Sequence, residues 1–134
     1  VIAVGTTSVR TLESLYHLGC MLHSGLDAST LPQWYPYSPE HPRLEVAEAM
    51  TAILRRLEEE GSDTFIASTR LMIAPGYDYR VVKGMVTNFH QPRSTLLLLV
   101  SAFLGGDEWR SVYDYALGGE YRFLSYGDAC LFLK

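Results

Sequence analysis

A cluster of polar side chains directly precedes an uninterrupted leucine run in this chain. Residues 87–95 read Thr-Asn-Phe-His-Gln-Pro-Arg-Ser-Thr, and residues 96–100 read Leu-Leu-Leu-Leu-Val. Polar side chains are not expected directly beside a buried helix unless they have a functional role. The junction therefore predicts a strand end followed by a buried helix that Ser94 can cap, with candidate chemical groups at Asn88, His90, Arg93 and Ser94.

The beginning of the chain has the pattern of an α/β unit. Residues 1–4 are apolar and predict a short buried strand, and Gly5 predicts a tight turn. Thr6, Thr7 and Ser8 then form a capping cluster for a helix. Free N–H groups and hydroxyls at such a helix start form a ready site for an anion, although a simple Ser/Thr cap is an equally good interpretation.

The rest of the chain alternates between strand-like and helical patterns. Gly19 is expected to end the first helix, and residues 19–42 to form an irregular aromatic loop. Residues 44–60 predict an amphipathic helix that Gly61 ends. Further on, we expect strands at residues 64–67, 71–74, 80–87 and 129–133, with the second and third paired antiparallel, and helices at residues 95–104 and from Asp107 to Gly118.

Size and charge limit the function classes. A chain of 134 residues is one domain by size, and its first residues suggest a piece cut from a longer protein. The net charge of -4 argues against a broad nucleic-acid-binding face, and no apolar run approaches the ~20 residues that span a bilayer. The unpaired Cys20 and Cys130 suit reduced thiols, so we expect a cytoplasmic protein that does not enter a membrane.

Several titratable groups admit both a chemical and a structural interpretation. His90 could act as a base near neutral pH or could be hydrogen-bonded in the core. Asp128, beside a glycine, could be catalytic or only a turn residue. His17, Cys20 and His23 carry metal-ligand chemistry, but on a helix they would fan apart. We therefore predict no metal site.

Four blocks in order along the chain resemble one protein family. They are residues 1–13, residues 73–77, the Thr-Asn-Phe-His segment with Pro92 and residues 94–96, and residues 121–129 with their Tyr-Arg-Phe and Ser-Tyr-Gly-Asp-Ala sequences. Together they resemble the C-terminal portion of the S-adenosylmethionine:tRNA ribosyltransferase-isomerase family of queuosine biosynthesis. Residues 18–68 look longer than the corresponding stretch, Gln91 replaces a usually apolar residue, and Arg93 stands where lysine is common.

The resemblance implies a fold and a reaction. The fold would be a Rossmann-like α/β three-layer sandwich with a mixed sheet, of which residues 1–134 would form the C-terminal part, with residues 19–68 as an insertion. The ribosyl group of S-adenosylmethionine would be transferred to an aminomethyl-deazaguanine base of tRNA and isomerised, releasing adenine and methionine and giving epoxyqueuosine-tRNA. S-adenosylmethionine would be a co-substrate, no metal would be needed, and the full-length protein would be a monomer.

The site residues of this hypothesis come from the blocks and from their chemistry. His90 or Asp128 would provide or orient the base that removes a proton beside the sulfonium. Substrate would be held by Thr6, Thr7, Ser8, Arg10, Asn88, Phe89, Arg93, Ser94, Arg122, Ser125 and Tyr126.

Two other functions remain open. The chain could be a non-catalytic interaction domain that presents the loop and helix at residues 31–60 as a partner surface. An ordinary methyltransferase is the weaker alternative, because the chain lacks the Gly-rich first loop that such enzymes usually show.

Overall fold

The computed structural model describes residues 1–134 and shows a mixed α/β protein with short strands. Two of the strands are only two residues long, and Tyr35–Tyr37 form a single 3₁₀ turn. The elements in chain order are β1 (Ile2–Val4), α1 (Thr6–His23), β2 (Thr30–Leu31), the 3₁₀ turn, α2 (Val46–Glu60), β3 (Ser68–Thr69), β4 (Gly84–Asn88), α3 (Thr95–Leu104), α4 (Glu108–Gly118) and β5 (Ala129–Leu133).

The main sheet is mixed and has the order β1-β4-β5. β1 lies parallel to β4, with Val4 opposite Val86, whereas β5 lies antiparallel to β4, with Ala129 opposite Asn88. The end of β1, the end of β4 and the beginning of β5 therefore lie at the same edge of the sheet. The prediction of a mixed sheet is confirmed.

The chain divides into two compact units. One unit contains residues 1–9 and 72–134 and holds the main sheet, α3 and α4; the other contains residues 10–71 and holds most of α1, the strand pair β2-β3 and α2. The proposed insertion at residues 19–68 stays a prediction.

The first unit has an apolar core beneath one face of its sheet. Ala3, Met85 and Phe132 face this core from the three strands, and Val100 and Phe103 come from α3. Ser94 begins α3 as predicted, since its hydroxyl accepts a hydrogen bond from the Leu97 N–H at 3.2 Å. The polar segment 87–95 therefore leads directly into the first turn of α3.

In the second unit Gly19 does not end α1, which corrects the prediction. The helix continues to His23, and Gly19 lies within it because a Cβ there would come within 2.2 Å of the Ala49 carbonyl oxygen of α2. The glycine thus permits close helix contact and does not act as a stop signal. Gly61 does end α2 as predicted, with a left-handed φ of 60°.

The predicted strands between α2 and β4 were largely wrong. Residues 64–67 and 71–74 are not strands. Of the segment 80–87 only residues 84–87 are in a strand, β4, which extends to Asn88. The predicted antiparallel pair is absent because β4 is flanked by β1 and β5. Leu71 and Ile73 are buried in irregular structure, so their apolar character reports burial and not pairing.

None of the helices combines the length and the apolar composition that a membrane span requires.

Candidate active site

The helix α1 starts at the carboxyl edge of the main sheet. The Gly5 N–H donates to the Val86 carbonyl oxygen at 2.8 Å, and Gly5 has a φ of 87°, a left-handed conformation that favours glycine. This turn places Thr6, Thr7 and Ser8 in the first helical turn beside the end of β4. N–H groups at a helix start attract anions, so this edge is suited to a carboxylate or phosphate.

His90 is held by two hydrogen bonds within the same unit. Its Nε2 lies 2.9 Å from the hydroxyl oxygen of Thr87, and its backbone N–H donates to the Tyr113 hydroxyl at 3.0 Å. Burial lowers the pKa of His90 below its ordinary value of 6.5. The imidazole is therefore neutral at physiological pH, and Nδ1 is the ring nitrogen that Thr87 does not engage.

Asp128 closes a tight turn at residues 122–128. One carboxylate oxygen accepts the Arg122 backbone N–H at 2.7 Å, and the other lies 3.5 Å from the Arg122 guanidinium. The backbone bond is the main cause that lowers the pKa of Asp128 below its ordinary value, followed by the side-chain bond to Arg122. Asp128 is thus an ionised carboxylate, and both of its oxygens are engaged by Arg122 within the turn.

The same turn depends on Gly127 and is joined to the end of β4. A Cβ on Gly127 would lie 2.3 Å from the Arg122 carbonyl oxygen. The Asn88 side-chain amide donates to the Asp128 carbonyl oxygen at 3.2 Å, and the Leu124 N–H donates to the Phe89 carbonyl oxygen at 2.9 Å. Residues 121–126 are consequently part of a folded turn.

Phe89 is a core residue of this unit. It is buried, and its ring lies 5.3 Å from that of Phe123 and 5.6 Å from that of Tyr113, measured between centroids. The edge-to-face contact with Tyr113 and the tilted contact with Phe123 rigidify this cluster. In this structure its ring is therefore packed against protein and does not face solvent.

The remaining predicted residues of this unit lie at the surface or cap a helix. Arg93 is exposed and has an unusual left-handed φ of 63°, while Ser94 serves as the α3 cap. Arg122 is 75% exposed at its side chain, Ser125 is exposed, and Tyr126 is 98% exposed. These cations and the phenol are open to a large ligand.

Arg10 belongs to the other unit, within α1. Its Nε is buried and has no hydrogen-bond partner in the chain. A buried guanidinium nitrogen without an acceptor is costly, so this atom is a candidate contact for an anion supplied from outside the chain.

The histidines of the second unit do not form a metal cluster. His17 Nδ1 lies 2.8 Å from His41 Nε2, and the chain has no group of three or more His, Cys, Asp or Glu residues placed to hold a metal ion. His23 is exposed at the end of α1. In the other unit, burial raises the pKa of the Cys130 thiol to about 11, which makes it a poor nucleophile at neutral pH.

Sequence reasoning missed Thr87 and Tyr113 as partners of His90. β4 ends at Asn88, so the strand alternation does not reach His90. The imidazole instead turns back to Thr87. The sequence does contain a threonine three residues before the histidine. This spacing indicates a contact only once the chain is known to reverse direction after β4.

The fold and these contacts define a mixed α/β protein with a neutral histidine, a carboxylate turn and a helix start along one edge of its sheet. A family model described as "Queuosine biosynthesis protein" matches residues 1–132. The chain belongs to this family.

Named relatives agree with the family. The chain is similar to S-adenosylmethionine:tRNA ribosyltransferase-isomerase of Xanthobacter autotrophicus, with 54% identity over 69 residues, which are 52% of this chain and 19% of the relative. The protein of the same name from Polynucleobacter asymbioticus is 52% identical over 80 residues, which are 59% of this chain and 23% of the relative. The family resemblance predicted from the sequence is confirmed.

A solved structure is also similar over nearly the whole chain. The crystal structure of S-adenosylmethionine tRNA ribosyltransferase from Thermotoga maritima matches with a TM-score of 0.63 and 36% identity, covering 98% of this chain and 32% of that one. The chain thus spans about a fifth of the length of the curated relatives and about a third of the solved structure.

Proposed function

We propose that the longer protein to which this sequence corresponds transfers the ribosyl group of S-adenosylmethionine to the aminomethyl-deazaguanine base of tRNA. Isomerisation then gives epoxyqueuosine-tRNA with release of adenine and methionine. The observation that carries the proposal is the meeting of three family blocks at one sheet edge: the turn at Gly5, the segment 87–90 and the turn 122–128. The chain is similar to proteins named S-adenosylmethionine:tRNA ribosyltransferase-isomerase in other organisms, and it belongs to the queuosine biosynthesis family.

In the proposed first step, His90 is the general base. Its neutral imidazole takes a proton from the ribose carbon beside the sulfonium, and the electron pair stays on that carbon, stabilised by the adjacent positive sulfur. The lowered pKa of His90 supports this role because the unprotonated form dominates at neutral pH. Asp128 is less suited, since both of its oxygens are engaged by Arg122.

In this proposal the other site residues either contact the substrates or hold the backbone of the residues that do. Thr6, Thr7 and Ser8 offer a helix start to an anion, and Arg93 and Arg122 offer exposed guanidinium groups. Tyr126 and Ser125 meet the tRNA from the exposed turn, while Arg10 offers its unpartnered Nε. Asn88, Phe89 and Ser94 hold the backbone that carries these groups, as their contacts indicate. The proposal assigns no step to a metal ion.

The three-layer sandwich of the family is also part of the proposal. Ile2, Val4, Leu131 and Leu133 lie on the sheet face opposite the core and are 56–70% exposed. Exposed apolar faces of this kind are normally covered. We propose that the remaining layer of the longer protein covers this face, and that the complete protein is a cytoplasmic monomer with its site closed by that layer.

The test is production of the modified base by the full-length protein. Purified full-length protein with S-adenosylmethionine and precursor tRNA should release adenine and methionine in equal amounts, and the tRNA should gain the epoxycyclopentane group by mass spectrometry. The 134-residue chain alone should release little or none. Failure of the full-length protein to release tRNA-dependent adenine would contradict the proposal, and modification by the short chain would contradict the need for the missing layer.

A partner surface at residues 31–60 is a second candidate. It is supported by two large apolar side chains that are exposed: Trp34, directly before the 3₁₀ turn, is 56% exposed, and Leu54 of α2 is 58% exposed. Trp34 also stacks edge-on with Tyr37 at 5.6 Å. Trp34→Ala should leave adenine release unchanged under both functions, but it should abolish co-purification of a protein partner if this surface binds one.

A further inference from the structure

A cavity of about 440 Å³ opens beside His90 within the first unit. Three aromatic side chains, Trp109, Tyr113 and Phe123, line it together with His90. Tyr113 is at the centre of this arrangement, with its ring 6.1 Å from that of Trp109 and 6.2 Å from that of Phe123. Cavities of this size, with apolar and aromatic walls and few polar groups, are typical small-ligand sites.

The wall of the cavity contains apolar side chains that remain exposed. Leu117 of α4 is 69% exposed and Leu124 is 47% exposed. Leu124 also has a φ of 70°, a left-handed conformation that is unfavourable for a bulky residue. Leu124 holds this conformation within the turn, where its N–H donates to the Phe89 carbonyl oxygen, and its side chain stays at the exposed rim of the cavity.

The cavity wall also carries groups that can form hydrogen bonds. Asp114 and Arg110 lie among the lining residues as an acceptor and a donor. Arg110 lies 5.5 Å from the centre of the Trp109 ring, so the cation and the aromatic face are presented together. Planar nucleobases combine an apolar face with donors and acceptors at the edge, and proteins bind them by stacking on aromatic side chains.

We propose that this cavity binds one planar nucleobase, either the adenine of S-adenosylmethionine or the deazaguanine of the tRNA turned out of its stack. The inference rests on the proposed function and assigns the base of one substrate to the cavity. The volume admits a single base with its sugar at the opening, and His90 at the wall then lies next to the sugar. A base held there brings the ribose carbon or the accepting aminomethyl group towards the imidazole.

The experiment fills the cavity from its exposed wall in the full-length protein. Leu117→Trp adds a ring to the cavity, and Tyr115→Trp places the same ring two residues earlier on α4 at a position that is 72% exposed and does not line the cavity. Binding of adenosine and of the aminomethyl-deazaguanine nucleoside is measured separately by equilibrium dialysis, without the second substrate, so that no turnover is required. Leu117→Trp should weaken binding of one nucleoside by about tenfold or more, whereas Tyr115→Trp should change it by less than about twofold.

The two nucleosides identify the source of the base. Loss of adenosine binding alone assigns the cavity to S-adenosylmethionine, and loss of the deazaguanine nucleoside alone assigns it to tRNA. The proposal is overturned if wild-type protein binds neither nucleoside, if both bind Leu117→Trp normally, or if Tyr115→Trp loses as much affinity. If Leu117→Trp does not fold, Leu117→Asn makes the wall polar without added bulk, and unchanged binding in that variant overturns the proposal too.

Failure of this inference is distinguishable from failure of the proposed function. Normal nucleoside binding in Leu117→Trp, together with tRNA-dependent adenine release by the wild type, would reject the cavity and keep the reaction. Nucleoside binding that Leu117→Trp abolishes, without adenine release by the wild type, would keep the cavity and reject the reaction.

Discussion

The hydroxyl oxygen of Thr87 lies 2.9 Å from Nε2 of His90, and this contact fixes which nitrogen of the imidazole can meet a substrate. Thr87 is 5% exposed and belongs to β4, so its position is set by the sheet. A partner that holds one ring nitrogen fixes the orientation of the ring, and Nδ1 can act as the base when Nε2 carries the proton and donates it to the Thr87 hydroxyl.

Thr87→Val should therefore reduce adenine release although the side-chain volume is preserved. We expect a loss of about tenfold to a hundredfold, since misplacement of a catalytic group by ~1 Å has effects of that size, and Thr87→Ser should recover most of the activity. Nitrogen chemical shifts of His90 in histidine-labelled protein provide the direct readout. One dominant tautomer in the wild type and a mixture in Thr87→Val are expected; identical shifts in both would show that Thr87 does not position the ring.

Asp128 variants separate a catalytic carboxylate from a turn residue. Asp128→Asn keeps an oxygen that can accept the Arg122 N–H, whereas Asp128→Ala removes it. If Asp128 holds the turn, Asn should retain activity within about fivefold of the wild type and Ala should lose more than about tenfold, because only Ala leaves that backbone N–H without its acceptor. Adenine release is the measurement. Equal and complete loss in both variants would instead make Asp128 a base.

The pH dependence of the reaction follows from the lowered pKa of His90. The unprotonated imidazole is the active form, so kcat/KM should fall on the acid side with a midpoint below 6.5. The free energy of unfolding should also fall on the acid side. The unfolded chain takes up this proton at a higher pH than the folded chain, so the contribution of His90 to stability is present above pH 6.5 and is lost as the pH falls below it. A kinetic midpoint above 6.5 would contradict this assignment.

Gly19→Ala tests the close contact between α1 and α2. A methyl group there meets the backbone of Ala49, which cannot move aside as a side chain could, so we expect a loss of about 1–3 kcal/mol in the free energy of unfolding, measured in urea. Gly118→Ala is the matched control, because a Cβ at that position meets nothing within 4 Å. It should change stability by no more than about 0.5 kcal/mol. Equal effects of the two variants would remove the packing argument.

The sequence predicted those elements whose signals are local. The Ser94 cap, the apolar α3 and the Gly61 end of α2 depend on neighbouring residues and were correct. Gly19 was misinterpreted because its role depends on Ala49, thirty positions further along the chain. The apolar segment 71–74 was taken for a strand because burial without pairing leaves the same residue pattern.

The candidate site could be located from sequence, but its contacts could not. The polar junction at residues 87–95 and the block 121–129 do meet, and Asn88 joins them through the Asp128 carbonyl oxygen. What the sequence could not supply was the turn that occupies Asp128 or the reversal that directs His90 to Thr87. Both depend on backbone directions that residue types alone do not specify.

The most direct test of the account replaces His90 in the full-length protein and measures adenine release from S-adenosylmethionine in the presence of precursor tRNA. His90→Ala should lower kcat by about a hundredfold or more, as expected for a lost general base, while binding of S-adenosylmethionine and the melting temperature stay close to wild type. His90→Gln, which keeps a polar group but cannot take up the proton, should be equally impaired. Near-normal turnover in a folded His90→Ala protein would contradict the central claim.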